Sequence, residues 1–150
     1  MKLINLFCKL SIIINFTLIS GEILDKKDDK SWKDKLSEEE YFVTRCSGTE
    51  PPFTGKYYKH KEKGTYNCNC CKQPLFSSDV KYDSGSGWPS FWDSIQGSVE
   101  TKVDFKLIVP RTEYHCSRCG GHQGHVFNDG PLPTGKRYCN NGLALTFMPE

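Results

Sequence analysis

Between His115 and Asn141 the chain reads HCSRCGGHQGHVFNDGPLPTGKRYCNN, and this run holds most of the groups able to do chemistry. Cys116 and Cys119 stand at the Cys-x-x-Cys spacing of a metal knuckle. His122, His125 and Asp129 follow, and the run closes on Arg137, Cys139 and Asn141. Far upstream, Cys68 and Cys71 repeat the Cys-x-x-Cys spacing. Two such pairs suit one structural zinc ion, because thiolates match a borderline-soft cation with no redox chemistry of its own. Two disulfides, or a thioredoxin-like redox pair, are the competing readings. No βαβ pattern surrounds either pair, which argues against the redox pair. Glycines follow Cys119, as tight folding round a metal requires, whereas Lys72 follows Cys71. Cys70 is then a spare thiol.

With four cysteines on the metal, His122 and His125 are left for a pocket. A lone cysteine such as Cys139 is more often an inert buried residue than a nucleophile. Arg137, two positions away, and the histidines shift that balance, since positive neighbours favour the attacking thiolate. The segment DSGSGWPSFW, from Asp83 to Trp92, runs a glycine-rich loop into two tryptophans. One tryptophan alone would be read as core. Beside a thiol and imidazoles, Trp88 reads better as an apolar wall for a small ligand.

These groups need a scaffold. Ser37 followed by Glu40 predicts a capped helix start. The helix is expected to be short, because Phe42-Val43-Thr44 has strand character. Tyr66 to Cys68, Pro74 to Phe76, Ser98 to Thr101, Phe105 to Val109, His125 to Phe127 and Leu143 to Met148 are the strand candidates. Nothing after Lys72 carries a sustained helical period, so the fold class is mainly β with a helix or two near the start.

A length of 150 residues fits one domain with an appendage. A net charge of +2 is too small for a nucleic-acid footprint, which counts against a zinc-ribbon binding module. Met1 to Gly21 has an early lysine, an apolar middle and small residues at its end, the plan of a cleavable secretory signal peptide. A mitochondrial presequence is the alternative, although such leaders normally carry arginine. The expected organisation is a leader over 1–21, a linker over 22–35 and one domain over 36–150, with no stable membrane anchor. The leader also motivates a disulfide-stapled secreted domain as a further alternative.

From about Leu36 to Pro149 the chain resembles the methionine-R-sulfoxide reductases, the MsrB family. The resemblance rests on GTEPPFTG at Gly48, PLFSSD at Pro74, DSGSGWPSFW at Asp83, CSRCGGHQGHVF at Cys116, NDGP at Asn128 and RYCNN at Arg137. It implies two antiparallel sheets with short N-terminal helices and zinc on Cys68, Cys71, Cys116 and Cys119. It also implies reduction of the R epimer of methionine sulfoxide, free or in proteins. Cys139 would be the nucleophile, passing through a sulfenic acid. His125, with His122 alongside, would bind and protonate the sulfoxide oxygen, and Trp88 would pack on the S-methyl group. Asp129, Arg137 and Asn141 would orient the site. Some relatives place a resolving cysteine in the loop before GWPSF, where this chain has Ser84 and Ser86. Cys46, at the alternative position before GTE, is therefore the expected resolving thiol, with Cys70 the weaker substitute. Thioredoxin or a similar dithiol would regenerate the enzyme, and a monomer is expected. In an oxidising compartment thioredoxin is not the obvious reductant.

Overall fold

The computed structural model describes residues 29–150. The leader read over 1–21 lies outside the described residues. Helix α1 (Asp29–Lys33) falls inside the stretch read as linker, which corrects that reading. Its Trp32 is 3% exposed and packs in the main hydrophobic cluster, with the Arg45 guanidinium 5.4 Å from its ring. A mixed-charge run hid one anchoring indole.

Helix α2 (Glu38–Arg45) begins at the expected capping box. Ser37 Oγ accepts the Glu40 N–H at 3.1 Å, and Glu40 Oε2 accepts the Ser37 N–H at 2.9 Å. The helix continues through Phe42-Val43-Thr44, where strand was expected. Val43 and Thr44 are buried against the body of the protein, and that packing outweighs the weak helix preference of β-branched residues. At its end Arg45 Nη1 donates to the Cys119 carbonyl at 3.0 Å, tying the helix to the second cysteine pair.

Among the described residues nine strands form two antiparallel sheets, so the mainly β reading holds. Strands β1 (Gly64–Cys68), β2 (Pro74–Ser77) and β9 (Leu145–Pro149) make the small sheet, in the order β2-β1-β9. The large sheet holds β3 (Lys81–Tyr82), β4 (Ser90–Phe91), β5 (Val99–Asp104), β6 (Arg111–Cys116), β7 (His122–Phe127) and β8 (Arg137–Asn140). Its order is β3-β4-β8-β7-β6-β5. Among the described residues no helix is long and apolar enough to cross a membrane.

Aromatic side chains fill the space between the sheets. Phe76 of β2 stacks on Phe91 of β4 at 4.2 Å, and Tyr66 of β1 meets Phe91 edge-on at 5.1 Å. Tyr114 of β6 meets Tyr138 of β8 at 5.2 Å. Tyr66, Phe76, Phe91 and Tyr114 are fully buried, so each contributes the large apolar area that holds a small domain together. The Tyr114 hydroxyl donates to Asn140 Oδ1 at 2.5 Å, which satisfies both buried polar groups one residue from Cys139.

Phe105 to Val109 is not a strand. Strand β5 stops at Asp104, whose Oδ1 accepts the Lys106 N–H at 2.9 Å and turns the chain. Pro110 has no N–H to extend a ladder. The β5–β6 connection is instead an exposed apolar loop.

Candidate active site and metal centre

The two Cys-x-x-Cys pairs meet. The Sγ atoms of Cys68, Cys71, Cys116 and Cys119 all lie within 4.8 Å of one another. Cys68 to Cys119 and Cys71 to Cys116 are each 3.6 Å. Metal–sulfur bonds of about 2.3 Å in a tetrahedron place the sulfurs roughly 3.8 Å apart, so these four thiols fit one tetrahedral metal ion. Each pair sits in a tight turn at a strand end. The Gly120 N–H donates to the Cys116 carbonyl at 2.8 Å, with Gly120 at φ +70°. Lys72 repeats that geometry, its N–H on the Cys68 carbonyl at 2.9 Å and φ 62°. Its Nζ donates to the Asn69 carbonyl at 2.7 Å, which steadies a left-handed position that glycine would take more easily.

Cys139 lies on β8 with its thiol at a cavity of about 300 Å³. Trp88, Arg111, His125, Arg137 and Asn141 also line the cavity, with Thr49 and Ser86. A larger cleft of about 540 Å³, lined by Tyr58, His60 and Lys81 among others, contains no thiol. Strand pairing builds the active corner. His125 and Cys139 are direct partners between β7 and β8, and Ser90 pairs Cys139 from β4. Ser86 Oγ is 3.9 Å from Cys139 Sγ.

Burial pushes the Cys139 thiol above its ordinary value, against the lowering effects of Ser86 and Arg137. Arg137 does act toward the thiolate, but burial outweighs it. Part of the reason is geometric. Arg137 gives Nε and Nη2 to the two Asp129 carboxylate oxygens at 2.8 and 2.9 Å, and its cation also lies 4.3 Å from the Phe127 ring. Asp129 itself is exposed and outside the cavity lining, so it acts on the site through Arg137.

His125 is held by residues the sequence reading did not single out. Its Nε2 is 2.8 Å from Asp104 Oδ2, which also accepts Arg111 Nη2 at 2.8 Å. Burial raises the Asp104 carboxyl, but hydrogen bonds from the Lys106 N–H, His125 and Arg111 outweigh it and hold the group well below the carboxylate range. Asp104 is thus an acceptor, and Nε2 carries the proton. Burial lowers the His125 imidazole below its ordinary value, partly opposed by Asp104, so at neutral pH Nδ1 is bare.

His122 does not line the cavity. It is 2% exposed, and its Nδ1 meets Glu113 Oε1 at 2.8 Å. A regular strand would send residues three apart to opposite faces. Here the β6–β7 register slips between Tyr114 and His115, leaving Gln123 as an extra residue. The bulge returns His122 to the His125 side, with ring centroids 5.6 Å apart.

Glu50 is another residue missed in the sequence. It is 4% exposed, and its carboxylate accepts the Gly142 and Leu143 N–H groups at 2.6 and 2.9 Å. Its N–H donates to Asn141 Oδ1 at 3.0 Å, and its carbonyl accepts Trp88 Nε1 at 3.0 Å. The signal was an acid beside two prolines in GTEPPFTG, which locks the Trp88 wall to the end of β8. Cys46 caps α2 outside the cavity lining, three residues before the lining residue Thr49.

Fold and site together define a double-sheet protein with a four-cysteine cluster that fits one metal ion and one thiol paired with an imidazole across two strands. The chain belongs to the SelR domain family, whose model matches residues 36–149. It is 53% identical over 123 residues to "Peptide methionine sulfoxide reductase MsrB" of Hahella chejuensis, covering 81% of this chain and 88% of that one. It is 55% identical over 120 residues to the protein of the same name from Thioalkalivibrio sulfidiphilus, covering 79% and 88%. To "Peptide methionine sulfoxide reductase B1, chloroplastic" of Arabidopsis thaliana it is 52% identical over 118 residues, covering 78% and 58%.

Proposed function

We propose that the protein is an oxidoreductase that reduces the R epimer of methionine sulfoxide to methionine, a repair of oxidised protein. The observation that carries this reading is the cross-strand pairing of Cys139 with His125 in a cavity walled by Trp88. The identity to reductases of that name supports it.

The Cys139 sulfur bonds to the sulfoxide sulfur, the oxygen passes to Cys139, and the sulfur–oxygen and transient sulfur–sulfur bonds break to leave methionine and a sulfenic acid. Substrate sulfur gains two electrons and Cys139 sulfur loses two. The thiol proton ends on the transferred oxygen, so the step balances. Because burial keeps Cys139 protonated, that proton needs a relay. His125, neutral and bare at Nδ1, takes it and delivers it to the oxygen, while Asp104 holds the ring by Nε2. Trp88 receives the S-methyl group, and Asn141 and Arg137 fix the cavity floor and rim.

Cys46 then attacks the sulfenic sulfur, expelling water and forming a disulfide with Cys139. A thioredoxin-type dithiol reduces that disulfide. The serine loop supports this assignment, since Ser86 rather than a thiol stands beside Cys139. Zinc on Cys68, Cys71, Cys116 and Cys119 would be structural, fixing two turns and, through Arg45, the helix that carries Cys46. The protein works as a monomer in the secretory pathway under this reading of its leader. Cys46→Ser tests the scheme. It should yield one methionine per enzyme and then stop with thioredoxin, while wild type turns over repeatedly. Repeated thioredoxin-driven turnover in the variant would remove Cys46 from the scheme.

A further inference from the structure

The β5–β6 loop is a concentrated apolar surface left uncovered among the described residues. Phe105, Leu107, Ile108 and Val109 are 74, 56, 103 and 71% exposed. Scattered exposed apolar residues need no explanation, but four within five positions mark an interaction site. The loop is also tethered. At its base Asp104 and Arg111 pair across the ladder and bond at 2.8 Å, and the same Asp104 oxygen holds His125. Near its start Lys106 Nζ donates to the Ser47 carbonyl at 3.3 Å, two residues from Thr49. Thr49, Arg111 and His125 all line the Cys139 cavity, so the loop is anchored at its base beside that cavity. On the Trp88 side stands Phe53, 61% exposed, its N–H on the Gly87 carbonyl at 2.7 Å.

A cavity of about 300 Å³ accommodates one oxidised side chain. A free amino acid would end there and leave the apolar loop untouched. We propose that the β5–β6 loop is a docking lip for an extended apolar polypeptide segment carrying the oxidised methionine. Leu107, Ile108 and Val109 then shelter the apolar side chains that flank the oxidised methionine. This rests on the sulfoxide-reductase reading of the cavity. A second copy of the chain is a poorer occupant, because four side chains at a hairpin tip fall well short of the roughly 800 Å² per partner of a stable interface. A bilayer is poorer too, since burying the tip would press the cavity rim against headgroups.

The test compares two substrates in wild type and in a Leu107→Ser, Ile108→Ser, Val109→Ser variant. One is an unstructured peptide whose R-sulfoxide is flanked by leucine and valine, and the other is N-acetyl-methionine-R-sulfoxide. The peptide kcat/KM should fall about tenfold, through KM, because the serine lip no longer shelters the flanking apolar side chains from water. The small substrate, which does not reach the lip, should be unchanged. An equal fall for both substrates, or no fall for either, overturns the proposal. Ile108→Ser alone, at a fully exposed position, repeats the comparison if the triple variant does not fold. Loss of binding to phosphatidylcholine–phosphatidylserine vesicles with unchanged peptide kinetics overturns it in favour of a membrane. Wild type inactive on both substrates would instead remove the reductase reading on which the proposal stands.

Discussion

His125 and Cys139 face each other as direct partners across the β7–β8 ladder. Such partners project to the same face of a sheet with Cβ atoms about 5 Å apart, so the pairing register alone brings imidazole and thiol together. The bulge at Gln123 adds His122 to that side, and Asp104 and Glu113 anchor the two rings. The thiol and its imidazole are therefore built on strands, while Thr49, Ser86, Trp88 and Asn141 come from connecting segments.

Cys139 should be a slow nucleophile until substrate arrives. Burial raises its thiol above the ordinary 9.0, so the thiolate fraction is small at neutral pH. Iodoacetamide labelling of Cys139 should accelerate steadily with pH up to beyond 9.0. Arg137→Met, which removes a lowering charge, should move that profile further up, and Asp129→Asn should move it down. A labelling profile with a midpoint near 6 in the wild type would contradict this electrostatic account.

The metal centre should be thermodynamic glue. Purified protein should carry one equivalent of zinc, and a strong chelator should lower the thermal midpoint, because structural zinc contributes on the order of 10 kcal/mol to folding in small domains. Protein without metal whose four ligand cysteines form two disulfides would contradict it and favour the disulfide-stapled alternative.

Trp32 should matter to stability although it precedes the region matched by the family model. Trp32→Ala leaves a cavity in the main cluster and should cost about 3–5 kcal/mol in urea denaturation. Truncation before Leu36 should cost a similar amount. A truncated protein as stable as the full chain would show that α1 packs without consequence.

The four clustered cysteines were legible because the Cys-x-x-Cys spacing occurs twice, whereas the roles expected of Cys139, His125 and Trp88 came from the resemblance of their motifs. The β class was legible from short aromatic segments such as Tyr66 to Cys68. What failed had physical causes. Phe105 to Val109 is apolar enough for a strand, but Asp104 turns the chain before it. Strand β6 escaped notice because Arg111, Glu113 and His115 read as surface, whereas Glu113 is 4% exposed against His122. Asp104 reaches His125 across 21 residues and Glu50 reaches Gly142 across 92, relations no local pattern records. Trp32 and Val43 illustrate tertiary burial overriding local composition.

The most direct measurement is dithiothreitol-driven reduction of the separated R and S epimers of a methionine sulfoxide peptide, with wild type beside Cys139→Ser. Wild type should consume the R epimer alone. Cys139→Ser should show no turnover while keeping its zinc and its fold. Turnover of the S epimer, or R-epimer turnover surviving in Cys139→Ser, would contradict the account.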